Sequence, residues 1–412
     1  MFPLILFIFN QKMDKLLHMI LILACVLIMK LSEIDNSTPV NGVGIHQLIP
    51  TESTTVEKTV DEYEINLTSI KPNFATTQEQ DDFINKTLRN EPYSSETQRT
   101  EFIKPEYDDK NRLACKIFPY DGKPIKSTNV PYLNGSLVKT TVSPHTFIAT
   151  QAPKENTVSD HFQLMLDFDS NFLITLVMPK EPKKRPNIDE IEFLDRCVPY
   201  WEKKEDLKDG YQLLPGKTIQ TISFEGTNQA ITLRELKIQN KNGSESKTIY
   251  QYHYENWPDL GVPNLKVFKE FLNLVYQKMR KSPSQSPVFA HCHAGSGRTG
   301  IFVACCFLMD HILAELKAGK SLHEIKVNVA KLVFEMRLCR TMMHHTTQVH
   351  FIYEWLEDLV KDREWMPVTK NVVEPVAKRT RLHQGELPRV DYRIFYASRN
   401  RAGPSARIEP IN

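Results

Sequence analysis

The stretch FAHCHAGSGRTGIF, residues 289–302, limits the possible folds more than any other part of this chain. SPVFA (286–290), just before and overlapping it, reads as a brief strand, and the mostly apolar residues after it read as a helix from about 298 to 317. Gly295, Gly297 and Gly300 lie across the connection. A turn this tight points successive backbone N–H groups inward, and glycine allows the dihedrals that this needs. The helix start adds its partial positive charge to the same hollow. Cys292 stands at the beginning of the turn and Arg298 at its end.

Two chemistries match those letters. Gly295, Gly297 and Gly300 spell the dinucleotide fingerprint G-x-G-x-x-G, which should open a strand–helix–strand unit with an acidic residue about 20 positions on. Here the first helix leads to another helix, and the nearest acidic candidate, Glu315, falls inside it. Gly297-Arg298-Thr299 is also not the Gly-Lys-Ser/Thr of a P-loop. The Cys-x5-Arg reading accounts for every residue type. Inward amides suit a tetrahedral dianion, and they equally lower a cysteine pKa from about 8.5 into the range of roughly 3.5–7.5. A guanidinium supplies a planar fork for two oxygens of a transferring phosphoryl group. His291, Cys292 and His293 are adjacent and cannot all face one ion, so neither a metal nor another cofactor is expected.

The rest of the chain frames this loop. FLITLVM (172–178) reads as a buried strand, and KTIQTISF, AITLRELKI and KTIYQYHY as an antiparallel meander. Val267, Phe268, Phe271, Leu272, Val275 and Met279 share one helical face. Further helices are predicted at 321–339 and 345–361. Strands first, then helices about a last strand, predict an α/β (α+β) domain over residues 76–361 with a mixed sheet flanked by helices. Residues 32–75 read as a polar linker and 362–412 as a basic disordered tail. A formal charge of +2 gives no footprint for nucleic acid, so no nucleic-acid partner is expected. Seven scattered cysteines make no disulfide framework, which points to a reducing compartment, the cytoplasm.

Residues 1–31 carry LLHMILILACVLIM (16–29), shorter than the roughly 20 residues that span a bilayer. A short membrane anchor, a signal-like segment and a start at Met13 all fit.

HCHAGSGRTG resembles the signature loop of the protein tyrosine phosphatases. KNR (110–112) resembles the start of that family's phosphotyrosine-recognition loop. YLNGSLV (132–138) and FIATQAPKENTVSDHF (147–162) resemble its framework, CVPYW (197–201) a following strand region, and YENWPDLGVP (254–263) its mobile acid loop. The resemblance implies a metal-independent phosphatase acting on phosphotyrosine-containing proteins. It implies Cys292 as nucleophile, Asp259 as general acid, Arg298 as phosphate ligand, and Thr299 as hydrogen-bond partner of the thiolate. Gln348 would orient the attacking water. Substrate would be held by His293, Ala294, Gly295, Ser296, Gly297, Arg298, Leu113 and Asp259.

Three positions depart from the family. Leu113 stands where a stacking tyrosine is usual, His293 replaces a serine, and His344 or His345 falls where the first glutamine of the last loop would be. Two alternatives therefore stay open: a phosphotyrosine-binding pseudophosphatase, and a dual-specificity phosphatase.

Overall fold

The computed structural model describes residues 64–70, 105–112, 115, 117–119, 124–184, 191–280, 286–343, 345–361 and 407–408. The apolar segment 1–31, Leu113, His344 and nearly all of the tail 362–412 lie outside the described residues. Along the chain come β1 (Ile65–Asn66), β2 (Gly135–Val138), β3 (Phe147–Thr150), α1 (Val158–Asp167), β4 (Phe172–Thr175), β5 (Lys180–Lys184), β6 (Ile191–Asp195) and β7 (Glu205–Asp206). The strands β8 (Tyr211–Ser223), β9 (Ala230–Asn240) and β10 (Ser246–Glu255) follow, then α2 (Leu265–Met279), β11 (Val288–His291) and α3 (Gly297–Lys317). The last elements are β12 (Lys326–Val327), α4 (Val329–Cys339), α5 (Thr346–Lys361) and β13 (Arg407–Ile408).

The main sheet runs β13-β8-β9-β10-β4-β11-β3-β2, with β7 beside β8. Its centre, β10-β4-β11-β3, is parallel, and both flanks are antiparallel. A parallel centre has to be covered on both faces. Strand alternation achieves this. Phe147, Ala149, Ile174, Val288 and Ala290 face one core together with α2, α3, α4 and α5, while Ile148, Leu173 and Phe289 face a second core with Phe162 of α1. The result is the α/β fold expected from the sequence.

The strands read from the apolar and alternating runs are present, and β8, β9 and β10 form the meander. Helix α2 buries the predicted stripe, and Asn264 caps it by accepting from the Val267 amide at 3.2 Å. Helix α3 is apolar nearly all round because it is buried nearly all round. Among the described residues it alone is long and apolar enough to cross a membrane, and 78% of that apolar window is buried within the fold, as in a core helix.

Three readings change. The helix predicted over 321–339 begins only at Val329, where Asn328 caps it by accepting from the Lys331 amide at 2.8 Å. Leu322 and Ile325 mimic helical spacing, but they belong to a turn and to the approach to β12. CVPYW is not a strand: it ends in a 3₁₀ turn, Tyr200–Glu202, that buries Tyr200 and Trp201. Residues 65–70, within the stretch read as linker, pack onto the domain, with β1 pairing β12 and Leu67 and Ile70 entering the main core. Two apolar residues among polar ones carry no periodicity to reveal this.

Phe302 of α3 is fully buried and meets Phe147 of β3 and Phe271 of α2 edge to face, at centroid distances of 6.1 and 5.7 Å. Phe302→Ala is expected to lower stability by about 3–5 kcal/mol, read as a lower urea midpoint with an unchanged slope.

Candidate active site

Strand β11 ends at His291, at the carboxyl edge of the parallel strands, where open α/β sheets bind their ligands. The chain then turns into α3 through residues 292–296. Gly295 makes the turn with φ +69°, and a Cβ there would lie 2.1 Å from the Thr150 carbonyl oxygen of β3. Gly297 is also closely packed, since its Cβ would lie 2.6 Å from Gln348 Nε2.

Carbonyls that point out of such a loop need donors. Arg340, fully buried, supplies them: Nε donates to the Gly295 carbonyl and Nη2 to the Ala294 carbonyl, each at 2.9 Å. It is held in turn by Asn134 Oδ1 at 2.9 Å and Ser136 Oγ at 3.3 Å. The His293 carbonyl accepts from the Ala152 amide at 2.9 Å. The buried His291 ring accepts from the Tyr200 hydroxyl through Nε2 at 2.8 Å and donates through Nδ1 to the Cys292 carbonyl at 3.2 Å. Burial pushes its pKa down to about 3, so it is a neutral spacer rather than a charge.

Six cysteines are described, and burial raises the thiol pKa of five: Cys115, Cys197, Cys305, Cys306 and Cys339. Cys292 is the exception. Burial alone would raise it, but the Arg298 guanidinium, the Thr299 hydroxyl and amide, and the Ser296 amide outweigh burial and hold the thiol below its ordinary value. The Thr299 and Ser296 hydroxyls are buried without a nitrogen or oxygen partner. The Gln348 carbonyl oxygen is likewise buried and unpaired.

Arg298, only 3% exposed, is clamped by the Glu181 carboxylate: Nη1 donates to Oε1, and Nη2 to Oε2 at 2.8 Å. This ion pair raises the Arg298 pKa against the pull of burial. Nη1 also donates to the carbonyls of Leu176 at 3.0 Å and Trp257 at 3.3 Å, and Nη2 to Asp259 Oδ1 at 2.6 Å. The other oxygen of Asp259 accepts from Arg196 Nη2, also at 2.6 Å. Burial would raise the Asp259 pKa, but Arg298, Arg196 and His293 lower it overall, so the carboxylate is ionised as it stands. Its loop is anchored by Trp257, which is buried against Tyr254 and Phe268.

The structure thus brings together Cys292, His293, Ala294, Gly295, Ser296, Gly297, Arg298, Thr299, Asp259 and Gln348. Leu113 lies outside the described residues. The His293 ring, where the family has a serine, is not among the groups that lower the Cys292 pKa. Its Nδ1 donates to the Arg196 carbonyl at 2.9 Å, and burial lowers its pKa to about 4, leaving it neutral. Four residues with clear roles in the geometry were not legible: Glu181, Arg196, Tyr200 and Arg340. Glu181 sits in the charged run KEPKKR, which reads as a solvated segment, and only the register of β5 brings it to a guanidinium far along the chain. For Arg340 the sole hint is an arginine at the end of an apolar helix.

Residues 107–358 match the family profile described as protein-tyrosine phosphatase. The chain is 27% identical over 262 residues to receptor-type tyrosine-protein phosphatase eta of Gallus gallus, covering 62% of this chain and 17% of that protein. It is 29% identical over 304 residues to tyrosine-protein phosphatase non-receptor type 2 of Mus musculus, covering 70% of this chain and 68% of the relative. A similar match, 27% over 255 residues, is to tyrosine-protein phosphatase Lar-like of Caenorhabditis elegans, with 59% of this chain and 10% of the relative covered. The chain therefore spans less than a fifth of the receptor-type eta relatives.

The loop geometry is testable through the thiol. Gly295→Ala drives a methyl group into the backbone of a central strand, so the loop has to shift. Its Cys292 is expected to alkylate with the pH dependence of an ordinary cysteine, whereas the parent thiol reacts at lower pH.

Proposed function

Because the chain belongs to the protein-tyrosine phosphatase family, we propose that it hydrolyses phosphotyrosine on proteins through a phosphocysteine intermediate formed on Cys292. The observation that carries this reading is the inverted behaviour of one thiol. Cys292 is as buried as the core cysteines, yet it alone among the described cysteines is held toward its charged form. A buried charge is retained only where it is solvated by fixed dipoles and an opposite charge. The same groups would solvate a phosphoryl dianion.

In the first step the Cys292 sulfur attacks phosphorus, the bond to the tyrosyl oxygen breaks, and Asp259 gives its proton to the departing phenolate. Water then attacks the phosphocysteine, Asp259 takes the proton, and phosphate leaves with the thiolate restored. Arg298 holds two oxygens of the phosphoryl group in both steps. Thr299 stabilises the leaving thiolate, and Gln348, with a free carbonyl oxygen beside Gly297, accepts from the attacking water. Residues His293 to Gly297 provide the amide cradle, and Leu113 is assigned to one wall of the aryl slot.

As the site stands, Asp259 is an ionised ligand of Arg298, the wrong protonation state for an acid. An incoming dianion takes the Arg298 donor and replaces a positive neighbour by a negative one. Both changes favour protonation of Asp259. Substrate thereby arms its own acid.

A thiolate nucleophile calls for a reducing compartment. Asn134, which begins an Asn-Gly-Ser sequon, supports a location away from the glycosylating lumen. It is 1% exposed, and its amide nitrogen donates to Asn111 Oδ1 and the Ile117 carbonyl, each at 2.9 Å. A glycan there would block the site's own framework.

Two experiments test the reading. Parent protein should give a burst of phenolate on an aryl phosphate without added metal, and Cys292→Ser should abolish turnover while still binding a phosphotyrosyl peptide. Undiminished turnover by Cys292→Ser would end the assignment. Asp259→Asn should lower kcat on a phenyl ester by about 10²–10⁴ and remove the descending limb of the pH–rate profile, leaving the ascending limb set by Cys292. The sign follows from the roles, since activity needs Cys292 deprotonated and Asp259 protonated.

A further inference from the structure

Among the described residues, the three most exposed large hydrophobic side chains lie on two segments that meet at Asp259. Leu260 follows Asp259 directly and is 66% exposed, and Phe193 and Ile191 of β6 are 63% and 56% exposed. Strand β6 ends at Asp195, and the next residue, Arg196, bonds the Asp259 carboxylate at 2.6 Å. Single exposed apolar residues are ordinary on a protein surface, but a group of them on the rim of a site marks a contact surface.

The hairpin β5–β6 is a two-stranded sheet of its own, and its pairing decides which way those side chains point. Residues opposite each other in an antiparallel pair share a face, and neighbours along a strand alternate. Glu181 pairs with Leu194, and this face carries the carboxylate that clamps Arg298. Pro182 pairs with Phe193, and Ile191 lies two residues along on the same face. These three exposed residues make one apolar patch on the side of the hairpin away from Arg298. Toward Arg196 the patch ends in Lys180 and Asp195, an exposed pair 3.8 Å apart. The hairpin is held from its inner face by Glu181, and at its base by the Arg196 amide, which donates to the Pro179 carbonyl at 2.7 Å. The patch is therefore presented on a fixed support.

We infer that this outer face of the hairpin, formed by Pro182, Ile191 and Phe193, is a docking surface for phosphotyrosyl proteins that carry an apolar side chain three to five residues from the phosphotyrosine. The inference rests on the proposed function and names the substrate class of that same site. Spacing along the strand sets the count. Arg196 marks the level of the proposed acid, and Phe193 and Ile191 stand three and five residues before it. At a strand rise of about 3.4 Å per residue, they lie about 10 and about 17 Å away. An extended substrate advances by nearly the same step. With its phosphotyrosine in the cradle, its third to fifth neighbour comes level with the patch. A small phosphate ester does not reach that far.

The test compares the full-length parent with Phe193→Ser, Ile191→Ser and Phe193→Leu. The substrates are a small aryl phosphate and a set of phosphotyrosyl peptides of Ser and Gly, with one Leu moved along both sides of the phosphotyrosine. The parent should favour Leu at three to five residues, on one side, by about tenfold in kcat/KM, the gain expected from burying one large apolar side chain. Phe193→Ser and Ile191→Ser should each lose most of this preference, and Phe193→Leu should keep it. All four proteins should hydrolyse the aryl phosphate alike. Both side chains are exposed, so neither serine variant removes core packing.

A parent with no preference along the peptide overturns the inference, and so does a preference that both serine variants retain. Loss of aryl phosphate turnover in step with peptide turnover would show a structural role instead. A Phe193→Ser protein that differs from the parent only in self-association would make the patch a contact between copies of this chain. If the parent gives no burst on the aryl phosphate, the proposed function fails and this inference falls with it, so the burst tells the two failures apart.

Discussion

A loop that turns its amides toward one point must turn its carbonyls away from it, and those carbonyls still need partners. Arg340 meets that need for Ala294 and Gly295, the Ala152 amide for His293, and the His291 ring for Cys292. The cradle is therefore built from behind. The groups that a phosphate would touch are backbone atoms with little choice of position once the back is fixed. Arg340 is itself fixed by Asn134 and Ser136, at the start of an edge strand far from the loop in sequence.

In front, the site is a balance of charges in which Arg298 and Arg196 face Glu181 and Asp259. Glu181 takes Arg298 with both oxygens, which orients the guanidinium and offsets part of its charge. What remains is shared between the Cys292 sulfur and Asp259. A fully neutralised arginine would not hold the thiol down, and an unopposed one buried this deeply would be costly. Asp259 supplies a further carboxylate oxygen to Arg298, and its other oxygen goes to Arg196.

Much of this was legible in the sequence, and the reason differs from part to part. The chemistry of the loop could be read because its residues are contiguous: strand, glycines, cysteine and arginine lie within fourteen positions. A short apolar run revealed β4 and a brief one β11, near-alternation revealed β8, β9 and β10, and the stripe on α2 revealed that helix. The supporting residues were hidden because their role depends on register between distant segments. Glu181 is an ordinary acidic residue among lysines until β5 and α3 are placed side by side. Asn328 sets the start of α4, and Leu322 and Ile325 share its helical spacing without belonging to it. The CVPYW segment was assigned to a strand region through its family resemblance, but Tyr200 and Trp201 are buried on a 3₁₀ turn.

Strand β11 lies between β3 and β4, and both of its neighbours were made more than a hundred residues earlier. Its hydrogen bonds therefore close very long loops, the costly and slow kind of contact. The donor to the Ala294 and Gly295 carbonyls comes later still, at Arg340. During synthesis, nearly the whole domain must leave the ribosome before Cys292 acquires the surroundings that lower its pKa. Until then the nascent chain carries an ordinary thiol, and the shift arrives together with the tertiary structure that encloses it.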